Sequence, residues 1–163
     1  MDELLFDGTN TSDDLLQLVI FQLGGEEFGV EIIKVQEIIR MPEITHIPQS
    51  PDFVEGVIHL RGRIIVVANL GKRFNLNLKD VDENSRIIVV EIENNVVGMV
   101  VDSVNEVLRI PKSNVEPAPD LVLSQISRDY LNGVGKVDDR LLILLDLARV
   151  LTLEEINEIA TLA

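Results

Sequence analysis

The sequence predicts a mainly β protein built from two similar modules. Short apolar, β-branched blocks alternate with turn dipeptides along most of the 163 residues. Residues 53–74 (FVEGVIHLRGRIIVVANLGKRF) align without a gap on residues 130–151 (YLNGVGKVDDRLLILLDLARVL). Residues 28–42 (FGVEIIKVQEIIRMP) align in the same way on residues 97–111 (VGMVVDSVNEVLRIP). Many short strands with little helix read as barrels or a sandwich.

Taken in order, residues 1–14 are polar and hold five acids and no base. They read as a disordered acidic tail. Leu16–Leu23 and Phe28–Ile32 are two strands turned at Gly24-Gly25, where glycine accepts positive φ. Glu31–Arg40 fits either a helical face or a strand, and Pro42 limits both. Phe53–Leu60 and Arg63–Leu70 are strands joined at Arg61-Gly62, followed by a short helical turn over 72–77. Arg86–Ile92 and Val96–Val101 form a hairpin around Asn94-Asn95. Pro111, Pro117 and Pro119 punctuate a long connection. Leu131–Val137 and Arg140–Leu147 repeat the strand pattern around Asp138-Asp139. Thr152 and Glu155 make a capping box that opens a C-terminal helix over 152–163.

The repeats share Gly56 with Gly133, Arg63 with Arg140, Glu37 with Glu106, and Arg40 with Arg109. Shared glycine, arginine, glutamate and proline in one order argue against coincidence between apolar strands. They imply two modules, about 15–82 and 83–151, related by a pseudo-twofold. Gly56 and Gly133 then mark sharp strand bends or close backbone approach.

Composition removes several function classes. The net charge is −14, so no clustered basic surface for nucleic acid or anionic lipid is expected. Zero cysteine excludes disulfides, thiolate metal sites and a thiol nucleophile. No basic leader or apolar run of membrane-spanning length is visible, and a cytoplasmic location is expected.

Catalytic constellations are missing. A shared-proton aspartate pair would need one Asp from each half, but Asp102-Ser103 aligns with Ile33-Lys34. There is no G-x-S-x-G elbow, P-loop or G-x-G-x-x-G. His46 and His59 have no second histidine at ligand spacing and read as ordinary residues. Glu26-Glu27 and Asp138-Asp139 read as solvated turns. No enzyme activity, cofactor or metal is expected.

The halves differ at one turn. Arg61 aligns with Asp138 and Gly62 with Asp139. Arg61, Arg63, Lys72, Arg73 and Lys79 cluster within 19 residues. This reads either as an ordinary exposed turn or as a contact surface anchored by a planar guanidinium. Glu37 is a candidate partner that orients Arg61.

The blocks FVEGVIHLRGRIIVVANLGKRF, FGVEIIKVQEIIR, VGMVVDSVNEVLRI and YLNGVGKVDDRLLILLDL resemble the CheW family of chemotaxis coupling proteins over about 15–151. Three positions depart from the common pattern: His59 where asparagine is usual, Val66 for proline, and Asn69 for aspartate. The resemblance implies two five-stranded β barrels about a shared apolar interface. It implies a non-enzymatic scaffold that bridges the cytoplasmic tips of methyl-accepting chemotaxis receptors to the regulatory domain of the histidine kinase CheA. Recruitment to membrane receptor arrays would run through these partners, without insertion into the membrane. It further implies a receptor-facing groove involving Val35, Glu37, Ile38, Gly56, Arg61 and Val107. Val35, Ile38 and Val107 would give apolar contact to an amphipathic helix, or else serve the core. Gly56 would permit close approach, and Arg61 would set polar register. No residue is implied for the kinase surface. A paralogue serving another receptor–kinase pathway, and a β module binding an unrelated peptide, remain alternatives.

Overall fold

The computed structural model describes residues 14–76, 80–92, 94–120 and 130–150. The expected tail, the 72–77 turn beyond residue 76 and the C-terminal helix fall wholly or partly outside them.

Eleven strands make up the described fold. They are β1 (Leu15–Leu23), β2 (Glu26–Glu31), β3 (Val35–Arg40), β4 (Val54–Leu60), β5 (Arg63–Asn69), β6 (Arg86–Ile92), β7 (Asn95–Val101), β8 (Ser103–Pro111), β9 (Val115–Glu116), β10 (Leu131–Val137) and β11 (Arg140–Leu145). Two four-residue helices, α1 (Leu70–Arg73) and α2 (Leu147–Val150), follow β5 and β11 at equivalent points of the repeat. The ambiguous stretch resolves into both readings in turn. A 3₁₀ turn over Ile32–Lys34 leads into β3, where Ile and Val favour the extended chain. The last strand stops at Leu145 rather than Leu147. There the backbone carbonyl of Asp146 accepts from the N–H groups of Arg149 and Val150 and starts α2.

The strands form a six-stranded sheet, β8-β1-β2-β11-β10-β9, and a five-stranded sheet, β3-β6-β7-β5-β4. The sixth strand of the larger sheet is the two-residue β9. Each sheet draws on both halves of the sequence. The boundary near residue 82 therefore separates two repeats, not two sheets: β1 and β2 join the later strands, while β6 and β7 join the earlier ones. The joints are the parallel pairs β2–β11 and β5–β7. Tight hairpins alone do not make parallel pairs, which need crossover connections.

This arrangement explains why the strands read as unbroken apolar runs. A strand buried on both faces has no polar side to alternate with. In β1, Leu18 and Ile20 enter the core of their own sheet, while Val19, Phe21 and Leu23 face the other sheet. In β6, Ile87 and Val89 point inward, and Ile88, Val90 and Ile92 join the cluster between the sheets. Phe21, Phe28 and Phe74 stack in sequence through that shared cluster, at 5.8 and 6.2 Å between ring centroids. Full burial of each such side chain contributes about 1.5–3 kcal/mol.

Gly56 and Gly133 do the same work in both sheets. Each lies beside a register shift, with φ at +148° and +127°. Thr45 bridges Val57 across Gly56, and Glu116 pairs with Val134 across Gly133. A Cβ on Gly56 would stand 2.1 Å from the Thr45 carbonyl oxygen; one on Gly133 would stand 2.5 Å from that of Glu116. The close approach expected of these glycines is made by the chain's own backbone.

Candidate functional site

The outer strands β3 and β8 carry equivalent residues of the repeat. Ile38 stands opposite Ile88, and Val107 opposite Val19. Directly opposed residues point to the same side of a sheet. Ile88 and Val19 belong to the cluster between the sheets, so Ile38 and Val107 lie on the facing sides of the two sheets. Yet they are 38% and 53% exposed, outside that core and on its rim. Val35, opposite Val90, and Val104, opposite Phe21, are half-buried and pack against the shared cluster. An apolar seam results, with Val35 and Val104 on the core side and Ile38 and Val107 open to solvent. Val35 is thus first a packing residue. Val104 carried no signal of its own in the sequence beyond its alignment with Val35.

Arg61 and Glu37 meet. The guanidinium Nη1 donates to Glu37 Oε2, joining the β4–β5 turn to β3. Leu60 and Arg63 close a two-residue loop in which Arg61 (φ 52°) and Gly62 (φ 77°) are both left-handed. That is the type I′ geometry matching strand twist, normally given to Asn-Gly. Arginine in this conformation costs about 1–2 kcal/mol. Arg61 is 72% exposed and Glu37 only 23%, so the guanidinium is the more open member of the pair. Such an exposed pair stabilises the fold by about 0–1 kcal/mol.

The equivalent carboxylate, Glu106, is occupied differently. Arg140 donates from Nε and Nη2 to Glu27 (3.1 and 2.8 Å) and from Nη2 to Glu106 (2.8 Å). Glu27 aligns with Val96 in the other repeat, so this two-carboxylate fork has no counterpart there. The expectation of a merely solvated Glu27 is corrected: an arginine 113 residues away holds it. An acid standing where the repeat has Val96 was the signal that could have found it.

The hydrogen bond from Arg140 holds the Glu27 carboxyl below the usual glutamate range, against the opposing effect of burial. A folded value below the unfolded one means the unfolded chain takes up the proton first as pH falls. The stabilisation is complete above the ordinary glutamate value of 4.5 and is lost as pH drops through the folded value. The melting-temperature difference between wild type and Glu27→Gln is therefore expected to be largest near neutral pH and to shrink below about pH 4.5. Thermal melts across that range check it.

Of the five clustered bases, Lys72 and Arg73 are engaged by the fold. Lys72 pairs with Glu55 at 2.9 Å, and the Glu55 hydrogen bond raises the pKa of its ammonium. Arg73 turns inward: its Nε donates to the Val150 carbonyl at 2.9 Å. Its guanidinium lies over the Phe53 and Tyr130 rings at 5.2 and 5.3 Å. Val150 aligns with Arg73 itself, so this bond joins equivalent points of the repeat. Lys79 lies outside the described residues.

Other sequence readings find structural employment. Asp102 Oδ2 accepts from the Gly24 N–H at 3.0 Å and so braces the β1–β2 turn. His46 and His59 are exposed. Among the three departures, Val66 is buried between the sheets, and Asn69 caps α1 by accepting from the Lys72 N–H at 3.1 Å. Among the described residues, no group of three metal-ligating side chains comes together, and no helix is long and apolar enough to cross a membrane.

The family profile for the CheW-like domain matches residues 17–155. The chemotaxis protein CheW of Klebsiella aerogenes is 40% identical over 139 residues, covering 85% of this chain and 83% of that protein. CheW of Treponema pallidum is 31% identical over 155 residues, covering 93% and 91%. The crystal structure of the scaffolding protein TtCheW from Thermoanaerobacter tengcongensis superposes with a TM-score of 0.79 at 36% identity, covering 87% of this chain and 91% of that one. With the same two-sheet fold and the family's sequence blocks in order, the chain belongs to the CheW family of chemotaxis proteins.

Proposed function

We propose that the protein is a non-enzymatic coupling scaffold that links the cytoplasmic tips of chemotaxis receptors to the histidine kinase CheA. The observation that supports it best is the solvent-facing apolar seam of Ile38 and Val107, one residue from each sheet. An amphipathic receptor helix would lay its apolar stripe along that seam. Arg61, braced by Glu37, would fix its register through a polar contact. Gly56 would serve this surface only through the backbone, by letting Thr45 pair with Val57.

Co-sedimentation with CheA and a receptor signalling fragment tests the reading. Wild-type protein is expected in the pellet with both; binding to neither overturns it. Arg61→Ala is expected to weaken receptor binding about tenfold, the loss of one interface contact worth 1.4 kcal/mol. Its melting temperature should change by less than about 4 °C, because the ion pair is exposed and alanine keeps the same strained turn. A large loss of stability would make Arg61 a structural residue instead.

A further inference from the structure

The two repeats assemble the same charged parts in inverse proportion. In the second repeat a single arginine, Arg140, serves two carboxylates: Glu106 at 2.8 Å and Glu27 at 2.8 and 3.1 Å. In the first repeat the turn carries two arginines, Arg61 and Arg63, and only one of those carboxylates is kept. Glu37 aligns with Glu106, but Val96 stands in place of Glu27. Arg61 holds Glu37 from the position where the second repeat has Asp138. Arg63, which aligns with Arg140, is exposed, and its side chain makes no hydrogen bond or ion pair among the described residues.

The backbone nevertheless puts Arg63 where Arg140 is. Arg63 closes the β4–β5 turn opposite Leu60, and Arg140 closes the β10–β11 turn opposite Val137. Glu37 follows a bulge in β3 and stands opposite Val89. Glu106 follows the equivalent bulge in β8 and stands opposite Ile20. Val89 and Ile20 lie in the cores of their own sheets, as do Ile65 and Leu142, two residues past Arg63 and Arg140. Side chains two apart on a strand, or directly opposed across a pair, share a side. Arg63 and Glu37 therefore project on one side of the five-stranded sheet, as Arg140 and Glu106 do on the six-stranded one. In the second repeat this placement gives direct contact. In the first, Arg61 already occupies Glu37 Oε2.

The arrangement bears on what happens when Arg61 leaves. At 23% exposure Glu37 is poorly hydrated, and a carboxylate so placed loses stability when its cation departs. Arg61, at 72% exposure, is the member that an anionic group outside the protein can reach. We propose that Arg63 is a positioning residue that shares Glu37 with Arg61. When an anionic group of a partner draws the Arg61 guanidinium outward, Arg63 closes on Glu37 as Arg140 closes on Glu106. Glu37 then keeps a cation, and Arg61 is released without stranding it. The exchange is a property of the free chain; only the source of the anionic group rests on the receptor reading above.

Arginine Nε–H relaxation in the isolated full-length protein tests the exchange, with Arg140 as the internal standard for a held guanidinium. In the wild type the Arg63 Nε–H is expected to be mobile on the picosecond–nanosecond scale and that of Arg140 rigid. Arg61→Ala should make Arg63 nearly as rigid as Arg140. Adding Glu37→Gln to Arg61→Ala should return Arg63 to its wild-type mobility. An Arg63 that stays mobile in Arg61→Ala overturns the proposal, and so does one that stays rigid once Glu37→Gln is added. An Arg63 already as rigid as Arg140 in the wild type overturns it too, by making Arg63 a permanent second partner. Urea unfolding gives a second readout. Arg63→Ala should leave the wild-type midpoint nearly unchanged but lower that of Arg61→Ala, because the two arginines stand in for each other. Equal effects in both backgrounds overturn the proposal. Neither measurement contains a receptor, so failure of the receptor reading and failure of the exchange are separate results.

Discussion

Gly56→Ala is expected to destabilise the protein by about 3 kcal/mol or more, at the upper end of single substitutions. Two terms add. The backbone at φ +148° is one that side-chain-bearing residues rarely adopt, and the new methyl would stand 2.1 Å from the Thr45 oxygen. A backbone carbonyl cannot swing aside as a side chain can. Thr45 also exchanges both hydrogen bonds with Val57, at 2.9 and 2.8 Å, and moving it would break them. For a domain of this size the melting temperature should fall by about 6–12 °C. Gly62→Ala is the control. It has positive φ but nothing within 4 Å of its Cβ, so only the strain term remains. Urea unfolding of both variants separates the two terms. Equal losses would show that the Thr45 strand gives way freely. A receptor-binding defect in Gly56→Ala would then follow from misfolding of the surface, not from a blocked contact.

Val107→Glu and Ile38→Glu should act in the opposite way. Each places a charge on the open side of the seam, where an apolar partner would have to desolvate it. Receptor-fragment affinity should fall by about tenfold to a hundredfold, the range of a central apolar anchor. Both side chains are already more than one third exposed, so the fold loses little. Binding isotherms beside thermal melts check the pair. Unchanged affinity in either variant would remove that residue from the receptor surface, and unchanged affinity in both would remove the seam.

What was legible in the sequence was local or repeated. The hairpin turns at Gly24-Gly25, Arg61-Gly62 and Asp138-Asp139 each announce themselves by residue type, and each carries positive φ in the structure; Asn94 does so too, but the expected turn at Asn94-Asn95 lies one residue earlier, because Asn95 already pairs with Ile92 as the first residue of β7. The Glu37–Arg61 pairing followed from the asymmetry between the repeats. Non-local facts were hidden. Nothing in the spacing says that β2 pairs with β11, because a parallel pair leaves no turn signature between its strands. Arg73 looked like a surface base until Phe53 and Tyr130 closed over it. Glu27 looked solvated for the same reason, with its arginine far along the chain. The stretch Glu31–Arg40 was ambiguous because it changes conformation within ten residues, from one 3₁₀ turn to a strand.

The exchange of strands between the two sheets also has a consequence for how the chain is made. A nascent chain that has emerged as far as β5 holds only three of the five strands of one sheet and two of the six of the other. Both remain open at an edge that a later strand must fill: β5 waits for β7, and β2 waits for β11. Phe28 meets its neighbour Ile143 only after β11 has been synthesised. Pairings so distant in sequence slow folding. Neither repeat expressed alone should therefore yield a stable half, and the full chain is expected to unfold as one cooperative unit.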